Sequence, residues 1–157
     1  MGTLGFSYIG LIFLLCLFVP NSFYSFNLPV DSLKVNENKI LLAFEKAGQV
    51  LCTIFLIIFS DFNISKVNLW SIWLVVIFVL LILYLLCWLR YFSGKHTSND
   101  LYRPFLDIPL PLAVLPVMAV FTLSIYGKVI WLLIASIILG IGHIGITAQH
   151  WTAAKKS

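Results

Sequence analysis

Two histidines and a glutamate are the residues best suited to chemistry, because they interrupt segments that are otherwise almost entirely apolar. His143 and His150 lie in the apolar run 129–151, and Glu45 lies in the run 39–60. An ionisable group inside a membrane costs about 3 kcal/mol or more unless it is partnered, so such residues often mark a functional site. A glutamate beside a histidine could move a proton, hold a metal ion or bind a polar ligand.

The last apolar run carries two polar or small stripes. Residues spaced by four, three, four and three positions share one helix face: Ser136, Gly140, His143, Thr147 and His150. A second stripe lies beside it: Gly142, Gly145 and Gln149. Close helix packing explains the glycines and Ser136. For His143 both packing and function stay open, while His150 near the membrane surface is typical of a side chain reaching towards water.

The second apolar run has a matching polar face, formed by Glu45, Gln49 and Cys52. Because the polar turns come first in this run and last in the final run, two antiparallel helices would place both stripes at similar depth. We expect these two helices to pack together. The predicted ligand or proton site is therefore Glu45, Gln49, His143, Thr147, Gln149 and His150.

Metal binding and known catalytic motifs receive no support from the sequence. His143 and His150 are seven residues apart, about 10.5 Å along a helix, so one ion cannot bind both. A single histidine could hold haem, but no spacing supports it, and the sequence specifies no cofactor. GxSxG, HExxH, P-loop and GxGxxG motifs are absent, and catalytic residues stay unassigned.

Composition predicts an integral membrane protein. Hydrophobic residues make up 61% of the 157 residues, charged residues only 10%, and the mean hydropathy is +1.04. A soluble domain carries about a quarter charged residues. We predict one all-α polytopic domain over 1–157, a bundle of about five transmembrane helices with spans 4–19, 39–60, 69–89, 108–126 and 129–151. The first run, closed by Pro20, lacks the basic start and small-residue cleavage site of a signal peptide, which favours a retained span.

Basic residues predict the orientation. With five spans and the N-terminus outside, eight lie on the inner side: Lys34, Lys39, Lys46, Arg90, Lys95, Arg103, Lys155 and Lys156. Only Lys66 and Lys128 lie outside. Because cytoplasmic loops are enriched in lysine and arginine, we predict a cytoplasmic C-terminus and a multi-pass protein of the cell membrane. The third span is expected to face lipid, and the fourth to bend at Pro116.

Three functions remain open on the sequence. The first is a transport or ligand-binding component that uses the polar cluster in the cytoplasmic third of the bundle. The second is a membrane-embedded enzyme in which Glu45, His143 and His150 perform acid-base or metal chemistry. The third is an accessory or assembly subunit whose polar groups only pack helices. The expected partners are membrane lipid and either further copies of the chain or another membrane subunit, and no motif indicates nucleic acid.

Overall fold

The chain folds into a bundle of helices. The computed structural model describes residues 2–32, 34–65 and 67–156. Its helices are α1 (Tyr8–Ser25), α2 (Lys39–Ile58), α3 (Ile72–Phe92), the short α4 (Ser98–Tyr102), α5 (Pro111–Gly127) and α6 (Ile130–Ala154). Within those described ranges there is no β-strand, only two isolated bridges. The predicted all-α class is confirmed.

Four of these helices are long and apolar enough to cross a membrane: α1, α2, α3 with the preceding turn (Leu69–Phe92), and α6. The fifth apolar helix, α5, is shorter, with 17 residues. Many large apolar side chains on the outside of the bundle are exposed, among them Val75, Phe78 and Ile137. A soluble protein rarely leaves such extensive apolar surface uncovered, so the structure supports a membrane protein.

The first helix corrects the predicted end of the first run. We expected Pro20 to close this segment and residues 20–38 to form a loop, but α1 continues through Pro20 to Ser25. Proline lacks the N–H that would bond to the preceding turn. The helix nevertheless continues, with the Nδ2 of Asn21 donating to the carbonyl of Leu17 at 2.8 Å. It carries Asn21 and Tyr24 alongside Tyr84 and Trp88 of α3.

Helix α2 lies along α6 in the closest contact of the bundle. Two glycines allow it: Gly48 faces the backbone of Leu139, and Gly142 faces the backbone of Glu45. A methyl group at Gly142 would stand only 2.1 Å from the amide nitrogen of Glu45. Small residues at helix crossings allow such approach in membrane proteins, and this contact decides which side chains meet.

Helix α5 is the central element, packed between α3 and α6. It begins with Pro111 at its first position, where a missing N–H costs nothing, and most of its residues are buried. Helix α3 turns Tyr84, Cys87, Trp88 and Tyr91 towards the bundle and leaves its opposite face exposed. Helix α1 closes the bundle against α2 and α3.

One end of the bundle is covered by the segment after α1 and by α4. The amide of Ser98 at the start of α4 donates to Asp31 Oδ1 at 2.6 Å, and Val30 N donates to the carbonyl of His96 at 2.9 Å. The hydroxyl of Tyr91 on α3 donates to the carbonyl of Asn27 at 2.6 Å. These bonds tie the segment after α1 to α3 and to the region of α4, and α4 also packs against α6 at the end where His143 and His150 lie.

Candidate functional site

Glu45 and His143 form a hydrogen-bonded pair between α2 and α6. The distance from His143 Nδ1 to Glu45 Oε1 is 2.6 Å, and the two side chains are 28% and 14% exposed respectively. Gly142, adjacent to His143, lets the two backbones approach closely enough for this bond. Nδ1 donates when Glu45 is ionised, and Nε2 makes no hydrogen bond with any residue the structure describes. A carboxylate that orients a histidine in this way leaves the second nitrogen available to a ligand.

A second pair lies two helical turns further along α6. His150 Nε2 is 2.8 Å from Glu37 Oε1, with both side chains about one-third exposed. Glu37 precedes the α2 cap Asn38, whose side chain accepts the amides of Ile40 and Leu41. Glu37 was not among the predicted site residues. The sequence did contain a signal for it, because Glu37 lies eight residues before Glu45 and His150 lies seven residues after His143. Two antiparallel segments that pair Glu45 with His143 therefore also bring Glu37 near His150.

The other predicted residues divide into two groups. Gln49 lines the same cavity as His143, and the hydroxyl of Thr147 donates to the carbonyl of His143 at 2.7 Å. Gln149 points elsewhere: its Oε1 accepts the amide of Asn38 at 3.1 Å, and it lines a separate depression with Gly145. Four of the six predicted residues thus line the two cavities. Glu45 is bonded to His143 but is not part of either lining, and Gln149 lies on another side of α6.

The terminal cavity lies at the bundle end that α4 covers and has a volume of about 180 Å³. Its polar or aromatic lining residues are Asn21, Tyr24, Trp88, Tyr102, His143, Thr147 and His150. Aliphatic side chains such as Leu112 and Ile146 complete it. A water molecule needs only about 15 Å³ of such volume, so this cavity has room for a small polar molecule.

The central cavity lies deeper in the bundle and has a volume of about 230 Å³. Gln49, Asn21, Tyr84 and His143 line it together with apolar residues of α1, α5 and α6. His143 and Asn21 line both cavities. His143 therefore stands where a ligand passing from one cavity to the other would meet it.

Several polar or aromatic lining residues were not predicted as part of the site, among them Asn21, Tyr24, Trp88 and Tyr102. Asn21 and Tyr24 fall in the segment that was expected to form a loop. Asn21 Nδ2 donates to the hydroxyl of Tyr84 at 2.9 Å. Trp88 is 5% exposed, and its Nε1–H makes no hydrogen bond of normal geometry with the residues the structure describes. No local pattern distinguished these residues, because their elements come together only in the folded bundle.

Neither cavity has an aspartate or glutamate in its lining. No lysine or arginine lines either one, and the two histidines are each backed by a glutamate. Burial, with nearby Tyr24 and Asp31, raises the pKa of Tyr102 on α4 to about 12, so this phenol remains a neutral hydroxyl at neutral pH. The lining can therefore form hydrogen bonds with a small polar ligand.

Within the described ranges, no three histidine, cysteine or carboxylate side chains lie close enough together to hold a metal ion. The three cysteines are free and lie on different helices. The geometry instead provides the imidazole of His143, which the Glu45 carboxylate orients and which lines both cavities. Comparisons of the chain with protein-family models, with curated proteins and with solved structures found no match.

Proposed function

We propose that this chain is a multi-pass protein of the cell membrane that binds a small polar ligand in its terminal and central cavities, as a transport or ligand-binding component. One observation carries the proposal: His143, held by Glu45 at 2.6 Å, lines both cavities with its Nε2 unbonded among the described residues. Concave sites with a few convergent polar groups are where small ligands usually bind.

The proposed arrangement in the membrane has five spans, with the N-terminus outside and the C-terminus in the cytoplasm. Helix α5 would be the fourth span along the chain, since its 17 residues reach the lower limit for crossing a bilayer. The distribution of basic residues, eight against two, supports the orientation. The terminal cavity would then open towards the cytoplasm. A chain this small would work with further copies of itself or with another membrane subunit.

Filling the terminal cavity tests ligand binding. Thr147→Phe places a ring in the cavity without removing either glutamate-histidine pair, whereas Ala148→Phe, one residue on, faces the depression beside Gln149. Thermal stability of the purified protein is measured against a panel of small amines, carboxylates, amino acids and sugars. We expect a compound that stabilises the native protein and Ala148→Phe but not Thr147→Phe. Equal stabilisation of all three proteins would contradict binding in this cavity.

A membrane-embedded enzyme is the second candidate. The observation that favours it is again the carboxylate-oriented imidazole of His143, the geometry of a general base. Among the side chains that line the two cavities there is no serine or cysteine, so His143 would act on water or on a substrate group. Mass spectrometry of the stabilising compound after incubation with the protein distinguishes the two candidate functions. Recovery of the unchanged compound supports binding or transport, and its conversion into a product supports catalysis.

The accessory-subunit interpretation makes a different prediction. If the polar groups only pack helices, no compound stabilises the protein through the terminal cavity. His143→Ala then lowers stability or assembly and changes nothing else. Uptake of the stabilising compound into vesicles that contain the protein, lost in His143→Ala although the variant folds, would favour transport instead.

A further inference from the structure

A further pocket, with a volume of about 300 Å³, lies between α4 and the last turns of α6. We call it the α4–α6 pocket, and Tyr102 lines both it and the terminal cavity. The C-cap residues of α4 and α6, Arg103 and Lys155, also line it. Asn99 and Trp151 contribute polar and aromatic lining. Two basic side chains from distant parts of the chain thus share one concavity.

The charge of the α4–α6 pocket is positive. Among the residues that the structure describes, no aspartate or glutamate forms a salt bridge with Arg103 or Lys155. Lys155 instead places its Nζ 3.7 Å from the centroid of the Trp151 ring. Asp31 is the one acidic residue in the described lining, and its Oδ1 already accepts the amide of Ser98 at 2.6 Å. Two positive charges therefore face one negative charge, which favours an anion as ligand.

The backbone at Arg103 is held by Arg90 of α3. Arg90 Nη2 donates to the carbonyl of Arg103 at 2.6 Å, and its Nη1 donates to the carbonyl of Pro104 at 3.0 Å. These bonds involve only the backbone of Arg103, whose own side chain is exposed. A guanidinium presents planar donors that match two phosphate oxygens at once. Arg103 is thus fixed at its base, and its guanidinium can reach a phosphate in the pocket.

The outer face of α6 indicates which kind of phosphate would reach the pocket. Ile137 lies fourteen residues before Trp151, about 21 Å along the helix and on nearly the same side. Its side chain is 49% exposed. A tryptophan next to lysine at the end of an apolar helix is typical of the headgroup level of a bilayer. An acyl chain that lies along this side of α6 would bring its headgroup to the α4–α6 pocket.

We propose that the α4–α6 pocket binds the phosphate group of an anionic phospholipid, whose acyl chain lies along α6. Arg103 and Lys155 pair with the phosphate oxygens, and the side chains of Asn99 and Tyr102 donate hydrogen bonds. A zwitterionic lipid carries its own ammonium group, which the two basic residues repel, so the pocket prefers a headgroup with net negative charge. This inference rests on the proposed membrane placement but is independent of the ligand in the terminal and central cavities.

Native mass spectrometry measures how many lipids the protein retains. The purified protein in a nonionic detergent is titrated with dioleoyl phosphatidylglycerol and, separately, with dioleoyl phosphatidylcholine. We expect saturable binding of phosphatidylglycerol and much weaker binding of phosphatidylcholine. Inorganic phosphate in large excess is then added as a competitor and should displace little of the bound phosphatidylglycerol. Equal binding of the two lipids would refute the proposal, and full displacement by inorganic phosphate would identify a site for free phosphate instead.

Two double variants with the same loss of charge locate the lipid. Arg103→Gln with Lys155→Gln removes both basic residues of the pocket. Lys39→Gln with Lys156→Gln removes two at the same end of the bundle but outside the pocket, since Lys156 lines the depression beside Gln149 and Lys39 begins α2. All four basic side chains are exposed, so both variants should fold.

The first double variant should bind phosphatidylglycerol roughly tenfold more weakly than the native protein, because each basic residue near a lipid surface contributes to binding. The second should bind it about as well as the native protein. Equal weakening in both would show a general attraction to charge and refute the pocket. Failure of lipid binding leaves the terminal cavity untouched, because Thr147→Phe and Ala148→Phe test that cavity separately. Recovery of the native protein in solution without detergent would refute the membrane placement itself.

Discussion

Replacing Gly142 by alanine is expected to force α2 and α6 apart. The new Cβ would stand 2.1 Å from the amide nitrogen of Glu45, 2.5 Å from its Cα and 2.8 Å from the carbonyl oxygen of Leu41. All three are backbone atoms, so no side chain can rotate away. An ordinary contact needs about 3.5 Å, and the helices must therefore separate or slide by about 1.4 Å.

The magnitude follows from a comparison with Gly140, which lies two residues earlier in α6 and about 200° around the helix. A Cβ at Gly140 would meet only the Cγ1 of the Val117 side chain, at 3.1 Å. Both substitutions gain about 1 kcal/mol of helix propensity, which cancels between them. Overpacking against rigid neighbours costs about 1–3 kcal/mol. Gly142→Ala should therefore be less stable than Gly140→Ala by about 1–3 kcal/mol.

Unfolding of both variants in mixed micelles, followed by tryptophan fluorescence against increasing denaturing detergent, measures the difference. A second readout is the imidazole ¹⁵N shift of His143. The 2.6 Å bond to Glu45 would lengthen towards 4 Å if the helices separate by about 1.4 Å, which is too long for a hydrogen bond. Equal stability of the two alanine variants, with an unchanged His143 signal, would show that the close α2–α6 contact is wrong.

Three further predictions concern the pair, the covering segment and the orientation. A double-mutant cycle of Glu45→Gln and His143→Gln should give a coupling free energy of about 1–2 kcal/mol, and additive effects would contradict the bond. The hydrogen bond from the amide of Ser98 lowers the pKa of Asp31 below its ordinary value of 3.8. The stability that this bond contributes is therefore complete above pH 3.8 and is lost as the pH falls through the lowered pKa. Asp31→Asn should speed amide exchange at the start of α4 at pH 7, but the difference should vanish in strong acid; because Asp31 is exposed, the loss should stay below about 1 kcal/mol. An impermeant thiol label should leave an added C-terminal cysteine unreacted in intact cells and react with it after the membrane is permeabilised, and reaction in intact cells would reverse the proposed orientation.

The sequence alone predicted the helices well where apolar residues run without interruption. The runs at 39–60 and 129–151 correspond to α2 and α6 because hydrophobic length and periodicity are local properties. The end of α1 was predicted wrongly, because proline disfavours a helix interior locally but tertiary packing against α2 and α3 can override that preference. Helix α5 begins at Pro111 rather than at 108, since Phe105 and Ile108 pair in a tight turn.

For the site, the sequence determined which side chains share a helix face and at what depth, and so it predicted that Glu45 and His143 could meet. Only the tertiary structure decided that they do. The approach of Gly142 to the backbone of Glu45 sets the register of the two helices. That register pairs His150 with Glu37 and turns Gln149 away. The cavities themselves depend on Asn21, Trp88 and Tyr102, which come from three elements far apart in the chain. Periodicity fixes the faces of single helices, but long-range packing selects which faces meet.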